Sequence, residues 1–178
     1  MFKGEAMAIR EIVTHPNEIL RRKAHKVESF GNELQVLIDD MVETMRAEPG
    51  VGLAAPQVGV PLRLIVVEYG EDEHPEAAPK LYVMANPEIS KASTETEVGV
   101  EGCLSIPGFI GEVERSLEIV VRGQNRHGKA MKVKAKGWLA RIFQHEIDHL
   151  NGILFIDRTD KVWKVEDEAE RAQATAGD

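Results

Sequence analysis

The chain has 178 residues, 43% hydrophobic and 29% charged, enough for one soluble domain with an apolar core and no covalent staples. Its formal net charge of -8 opposes general attraction to nucleic acid or anionic membrane surfaces, which are themselves negative. No apolar run reaches the ~20 residues that span a bilayer, the start lacks the apolar centre of a secretory signal, and a lone cysteine, Cys103, excludes an internal disulfide, so a cytoplasmic protein is expected.

Residues 1 to 8 read as a loose leader, with order expected from about Ile9. Thr14 to Leu20 holds Pro16 and the polar starters of a short helical turn, and the basic run Arg21 to Lys26 reads as a solvated face. Asn32 with Gln35 has the form of a capping box. Leu34, Leu37, Ile38, Met41, Val42 and Met45 then recur at helical spacing, which predicts an amphipathic helix of three to four turns that Glu48-Pro49-Gly50 stops. Its methionines are core filler, because their side chains adapt to irregular gaps.

Gly50 to Gly59 is too rich in Gly and Pro for a regular element and too apolar for an exposed linker. A buried loop is expected, open to close approach by a ligand, with the Gln57 amide able to donate inside a cleft; on these residues alone a structural turn is an equal reading. Leu62 to Tyr69 and Lys80 to Ala85 predict strands separated by the acidic surface loop Gly70 to Pro79, and Asn86-Pro87 is expected to break the second. Val100 to Gly108 sets Cys103 in a turn flanked by Gly and Pro. Leu117 to Arg122 and Ala130 to Lys136 form a hairpin around Asn125-Arg126-His127-Gly128. Trp138, Leu139, Ile142, Phe143, Ile147 and Leu150 mark a helix that Asn151 and Gly152 end, Ile153 to Ile156 packs back on it, and Val162 to Ala174 reads as a charged helical stretch. His15, His25, His74 and His127 lack partners at ligand spacing and receive no role.

The Trp138 to Leu150 helix carries Gln144-His145-Glu146-Ile147-Asp148-His149. Residues four apart stand one turn above each other, so His145 and His149 can share one metal ion with Glu146 beside it; the bland alternative is two buried histidines satisfied by hydrogen bonds. A catalytic metal site takes three protein ligands and leaves a place for water, so the third ligand decides the chemistry. Peptidases of the form His-Glu-x-x-His-x-x-Gly-x-x-His are excluded, because Phe155 stands where the last histidine belongs. Glu166, Glu168 and Glu170 lie downstream in a charged stretch without apolar surroundings, the pattern of a solvated helix face. Cys103 offers a thiolate in a glycine-flanked turn, against the ordinary reading of a small buried hydrophobe.

Gly50-Val51-Gly52-Leu53-Ala54-Ala55-Pro56-Gln57, Glu101-Gly102-Cys103-Leu104-Ser105 and Gln144-His145-Glu146-Ile147-Asp148-His149 together resemble, in order, the three signature motifs of bacterial peptide deformylases, over about Ile9 to Phe155. The resemblance implies one catalytic domain over residues 1–178, of α+β class, with antiparallel β-sheets around the histidine-bearing helix, an N-terminal amphipathic helix, and a charged C-terminal helix and tail over 159–178. It implies a hydrolase that removes the formyl group from formyl-methionyl nascent chains and releases formate. Cys103, His145 and His149 would hold one divalent metal ion, Fe2+ foremost, with Zn2+, Ni2+ or Co2+ able to replace it. Glu146 would carry the proton, while the Gln57 amide and the Leu104 N–H would stabilise charge on the formyl oxygen.

In the same resemblance Gly52 pairs with the substrate backbone, and Val51, Trp138, Ile142 and the stem of Arg141 line a methionine pocket. Glu101 and Asp148 stand either behind the ligands, with Glu101 also on the substrate side, or as a turn carboxylate and a surface charge. Gly108-Phe109-Ile110 departs from members that carry a glutamate and an arginine there, leaving Arg115 available to the rim. Residues 159 to 178 hold more acidic than basic side chains, which opposes stable ribosome docking through a basic C-terminal helix; any ribosome contact is expected to be transient, with no membrane partner and no direct nucleic-acid binding. Two other functions compete: a zinc endopeptidase using a downstream glutamate, and a structural metal protein, which would need a fourth protein ligand.

Overall fold

A computed structural model describes residues 8–48 and 50–167, so nearly all of the expected leader and the tail from 168 onward lie outside the described residues. Near the N-terminus the Asn17 side chain accepts from the Ile19 N–H and opens a 3-10 turn, Glu18–Arg21, that buries Leu20. Arg21, Arg22, Lys23, His25 and Lys26 are exposed, as the basic run predicts.

Helix α1 (Asn32–Ala47) buries all six apolar residues of its predicted stripe, together with Asp40 and Thr44. These two polar side chains tie down the incoming chain: Asp40 accepts from the Ala8 N–H and from Arg10 Nε, and Thr44 Oγ1 accepts from the Arg10 N–H. The expected capping box does not form. The cap is Gly31, and Gln35 instead donates to the carbonyls of Phe30 and Arg126 and accepts from Arg126 Nε, a remote partner that outcompetes the local bond.

The strands among the described residues are β1 (Gly52–Ala54), β2 (Leu64–Tyr69), β3 (Lys80–Ala92), β4 (Thr96–Gly102), β5 (Phe109–Ser116), β6 (Glu118–Gln124), β7 (Ala130–Lys136) and β8 (Val162–Lys164), with helix α2 (Gly137–Leu150) between the last two. They form two antiparallel sheets, one in the order β1-β2-β3-β6-β7 and one in the order β4-β5-β8. The apolar run in β2 follows from burial on both faces: Ile65 and Val67 pack with Phe143, Ile147 and Leu150 of α2, whereas Leu64 and Val66 pack with Ile38, Met41 and Met45 of α1. This is the α+β architecture that the resemblance implies. A smaller cluster of Leu20, Ile106, Val113, Leu154 and Phe155 seats the three-stranded sheet.

Five elements differ from expectation. Gly50 to Gly59 is not a plain loop but contains β1, paired with β2, followed by a 3-10 turn, Ala55–Val58. Strand β3 does not stop at Asn86-Pro87. Its register shifts between Ala85 and Glu88, so Pro87, which has no N–H to donate, sits in a bulge. Asn86 takes φ 51° there, donating to Val27 O and to Gln124 Oε1 and accepting from the Val27 N–H. Strands β4 and β5 were not predicted. Finally, Val162 opens a strand rather than a helix, because Val162, Trp163 and Lys164 pair with Gly111, Ile110 and Phe109; a 3-10 turn, Val165–Asp167, follows.

Candidate active site

Both ends of α2 are fastened by residues far away in sequence. Lys136 makes no side-chain cap; Asp72, from the loop after β2, accepts from the Trp138 N–H at 3.0 Å and from the Tyr69 hydroxyl at 2.7 Å. At the other end Arg63 Nη1 donates to the Leu150 carbonyl and to Asn151 Oδ1. The helix so held presents Trp138, Arg141, Ile142, His145, Glu146 and His149 toward one region.

Cys103 lies one residue beyond β4, where the Ile106 N–H bonds back to its carbonyl and closes the turn. Ligand atoms of Cys103, His145 and His149 all lie within 4.8 Å of one another, the one such group of three among the described residues, and Cys103 Sγ is 3.3 Å from His149 Nε2. Glu166 is exposed and outside this group, and Glu168 and Glu170 lie outside the described residues.

A buried ion network stands behind the ligands. Glu101 is 5% exposed, with Oε1 2.9 Å from His145 Nδ1. Arg115 donates to both Glu101 oxygens and, at 2.6 Å, to Asp148; Arg141 Nη1 donates to Glu101 Oε2 at 2.7 Å; Arg158 donates twice to Asp148. Asp148 and Glu101 are therefore not surface charges. Arg115 is 4% exposed and committed to this network, which corrects the expectation that it serves the rim.

Burial works to raise the Glu101 carboxyl, but the bonds from Arg115 and His145 hold it well below the usual carboxylate range. His145 is opposed by burial yet raised to about 10 by hydrogen bonds to Cys103 and Glu101. Burial, and then the charges of His145 and Arg115, push His149 well down. Burial raises Glu146 to about 7 against the pull of His145. Glu146 Oε2 and His149 Nδ1 are buried without a protein partner, a costly state that points to groups reserved for something else.

Glu146 opens into a cavity of about 370 Å³. The cavity is lined by Gly50, Val51 and Gly52, by Val100, Gly102 and Leu104, and by Trp138, Arg141 and Ile142, with Gln57, Glu101, Cys103 and His145 completing the lining. Strands β1 and β4, each at the end of its sheet, contribute Gly52 and the Val100 to Gly102 stretch to the lining. Gly52 permits close approach, because a Cβ there would lie 2.7 Å from Glu146 Oε1. Gln57 is 2% exposed; its Oε1 accepts from the Ala54 N–H, and its Nε2 donates to Ser105 Oγ at 3.1 Å and faces Cys103 Sγ at 3.6 Å. Each motif residue of the expected site thus borders the cavity or the ligand group. Val100 was missed, although it adjoins the cysteine motif, and Gly102 and Ser105 stood inside that motif without an assigned role; Asp72 and Arg158 act through remote contacts with no local pattern.

The family model described as polypeptide deformylase matches residues 9–165. The chain belongs to the peptide deformylase family. Peptide deformylase from Symbiobacterium thermophilum is 49% identical over 167 residues, 94% of this chain and 74% of that one. Peptide deformylase from Natranaerobius thermophilus is 45% identical over 161 residues, 90% of this chain and 99% of that one. A Met-Ala-Ser-bound class I type b peptide deformylase from Acinetobacter baumannii matches the structure with TM-score 0.80 at 39% identity, covering 86% of this chain and 99% of that one. The deformylase match takes in β8 and ends short of the acidic tail. Metal dependence, general to deformylases, fits the donor set found: one sulfur and two imidazoles converge, a combination suited to a transition metal and not to Mg2+ or Ca2+.

Proposed function

We propose that this protein hydrolyses the formyl group from formyl-methionyl chain ends of nascent polypeptides, giving formate and a free amine. Cys103, His145 and His149 would hold one divalent ion, Fe2+ foremost, with Zn2+, Ni2+ and Co2+ compatible with the same donors. The observation that carries this reading is the unpartnered, buried Glu146 oxygen beside three convergent ligand atoms in a cavity walled by two strand edges. When bound, such an ion supplies Lewis acidity, acidifying water and polarising a carbonyl.

The protein groups divide the remaining work. Glu146, a buried carboxylate whose Oε2 has no protein partner, takes a proton and returns it to the departing amine. The Gln57 amide, its orientation fixed by the Ala54 and Ser105 contacts, and the Leu104 N–H donate to the formyl oxygen as its carbon becomes tetrahedral. Losing one such donor costs on the order of 3 kcal/mol of barrier lowering. Gly52 pairs with the substrate main chain along the β1 edge, and Val51, Trp138, Ile142 and the Arg141 stem receive the methionine side chain. Glu101 turns its carboxylate toward His145, so it meets substrate through its main chain.

Anaerobically prepared, iron-loaded protein is expected to release formate from formyl-Met-Ala-Ser. No turnover under those conditions would overturn the reading, and internal peptide cleavage instead would favour an endopeptidase. The acidic C-terminal segment argues for free action in the cytoplasm with at most transient ribosome contact.

A further inference from the structure

Arg141 stands one helical turn before His145 on α2 and is 4% exposed. Its Nη1 donates at 2.7 Å both to Glu101 Oε2 and to the Val113 carbonyl, and its Nη2 donates at 2.7 Å to the Glu97 carbonyl. The guanidinium is therefore pinned to β4 and β5. It also lies against Gly99, where an added Cβ would come within 2.8 Å of Cζ, and 5.4 Å from the centre of the Trp138 ring. Glu101, which it holds, offers its other oxygen to His145 Nδ1 at 2.9 Å.

A residue needed only to line the cavity would do so better as an apolar side chain, because burying a guanidinium carries a desolvation cost that an aliphatic group avoids. What the arginine adds is the bond to Glu101. A carboxylate hydrogen-bonded to a ligating imidazole fixes the tautomer and plane of that ring, and whatever fixes the carboxylate is inherited by the ring. Arg115 donates to both Glu101 oxygens, and Arg141 adds a bond to Oε2. The same Arg141 and the Trp138 beneath it line the cavity.

We propose that Arg141 is a positioning residue that couples the side-chain pocket to the metal ligand His145 through Glu101. The coupling to substrate rests on the proposed deformylase reaction; the positioning of His145 does not. A side chain filling the pocket packs on the Arg141 stem, whose guanidinium helps hold Glu101 in place, so occupancy and ligand orientation are linked.

The test uses Arg141→Met, Arg141→Lys and Gly99→Ala in the metal-loaded protein. Gly99→Ala pushes on the guanidinium without removing it. In the cobalt-substituted proteins the visible absorption bands report ligand geometry, and competition with a chelator reports metal affinity. Arg141→Met is expected to shift the cobalt bands and weaken metal binding by roughly 10- to 100-fold. It should also lower kcat for formyl-Met-Ala-Ser with little change in KM, and shrink the advantage of that peptide over formyl-Gly-Ala-Ser. Arg141→Lys should restore part of each effect, and Gly99→Ala should move all of them in the same direction by less. Unchanged bands and metal affinity in Arg141→Met and Gly99→Ala, with only KM raised, would make Arg141 a pocket wall and overturn the proposal. Should Arg141→Met not fold, unchanged bands in both Gly99→Ala and Arg141→Lys would overturn it equally. If the parent protein releases no formate while the cobalt bands still respond to these substitutions, the reaction assigned to the site fails and the positioning of His145 stands.

Discussion

Replacing Arg115 with methionine probes the ion network under the site. Arg115 is 4% exposed and donates at 2.9 Å to each Glu101 oxygen and at 2.6 Å to Asp148. Methionine keeps much of the side-chain volume and leaves two buried carboxylates short of a cation. Removing one member of a buried pair costs about 3–5 kcal/mol. The low end applies, because Glu101 retains Arg141 and Asp148 retains two bonds from Arg158. For a domain of this size about 3 kcal/mol corresponds to a fall in Tm of about 6–12 °C. Arg158→Met is the comparison: that side chain is 44% exposed, so solvent screening limits its loss to about 1 kcal/mol, or roughly 2–4 °C. Thermal melts followed by circular dichroism, with excess chelator throughout so that metal binding adds nothing, read both values. A Tm for Arg115→Met within about 3 °C of the parent, or an equal loss in Arg158→Met, would refute the buried-network reasoning.

Cys103→Ala removes the sulfur ligand, so the purified protein should lose metal on dialysis while its melt stays cooperative; stoichiometric metal by elemental analysis would contradict the ligand assignment. Gly52→Ala drives a methyl to 2.7 Å from Glu146 Oε1, and displacing that carboxylate should lower kcat on the order of 10²-fold; a change confined to KM counts against Glu146 as the proton carrier. The chain has two tyrosines, and both titrate high: Tyr69 is pushed up to about 12 by burial and by its bond to Asp72, and Tyr82 is raised by burial and by the charge of Glu71. A raised acid stabilises the fold fully below its unfolded pKa of about 10 and loses that contribution as pH climbs through the folded value. Phenolate absorbance should therefore lag behind that of the unfolded chain, and Tm should decline between about pH 10 and 12, less steeply in Tyr69→Phe; an ordinary tyrosine titration in the folded protein would dismiss the hydrogen bond to Asp72.

Helices α1 and α2 were legible because their apolar residues recur at helical spacing over many residues, and β2, β6 and β7 because their runs are bounded by turn residues. Strand β5 was not, since its inward positions are Gly111, Val113 and Arg115, and a buried arginine breaks the apolar alternation that marks a strand. Strand β8 and the second half of β3 depend on partners distant in the chain, which no local pattern encodes. At the site, the residue types and spacing that bring Cys103, His145 and His149 together were readable from the motifs. The standing of Glu101 and Asp148 was not, because a carboxylate in a turn and one paired with a remote arginine look alike until Arg115 is brought between them. The support given to α2 by Asp72 was equally hidden, since an aspartate in an acidic loop carries no sign that it will cap a helix far along the chain.

Helix α2 also works as a ruler. Trp138 and His145 lie seven positions apart, and a rise of about 1.5 Å per residue sets their levels roughly 10 Å from each other along the axis. The spacing between the place for a side chain and the place for chemistry is therefore written into a rigid rod clamped at both ends, and no lid has to close to establish it. Inserting one residue between Trp138 and His145 would turn the pocket wall by about 100° against the ligands and destroy the gauge in one step. Substitutions on the outer faces of the sheets leave it untouched, so the surface can diverge widely while the measured length stays the same.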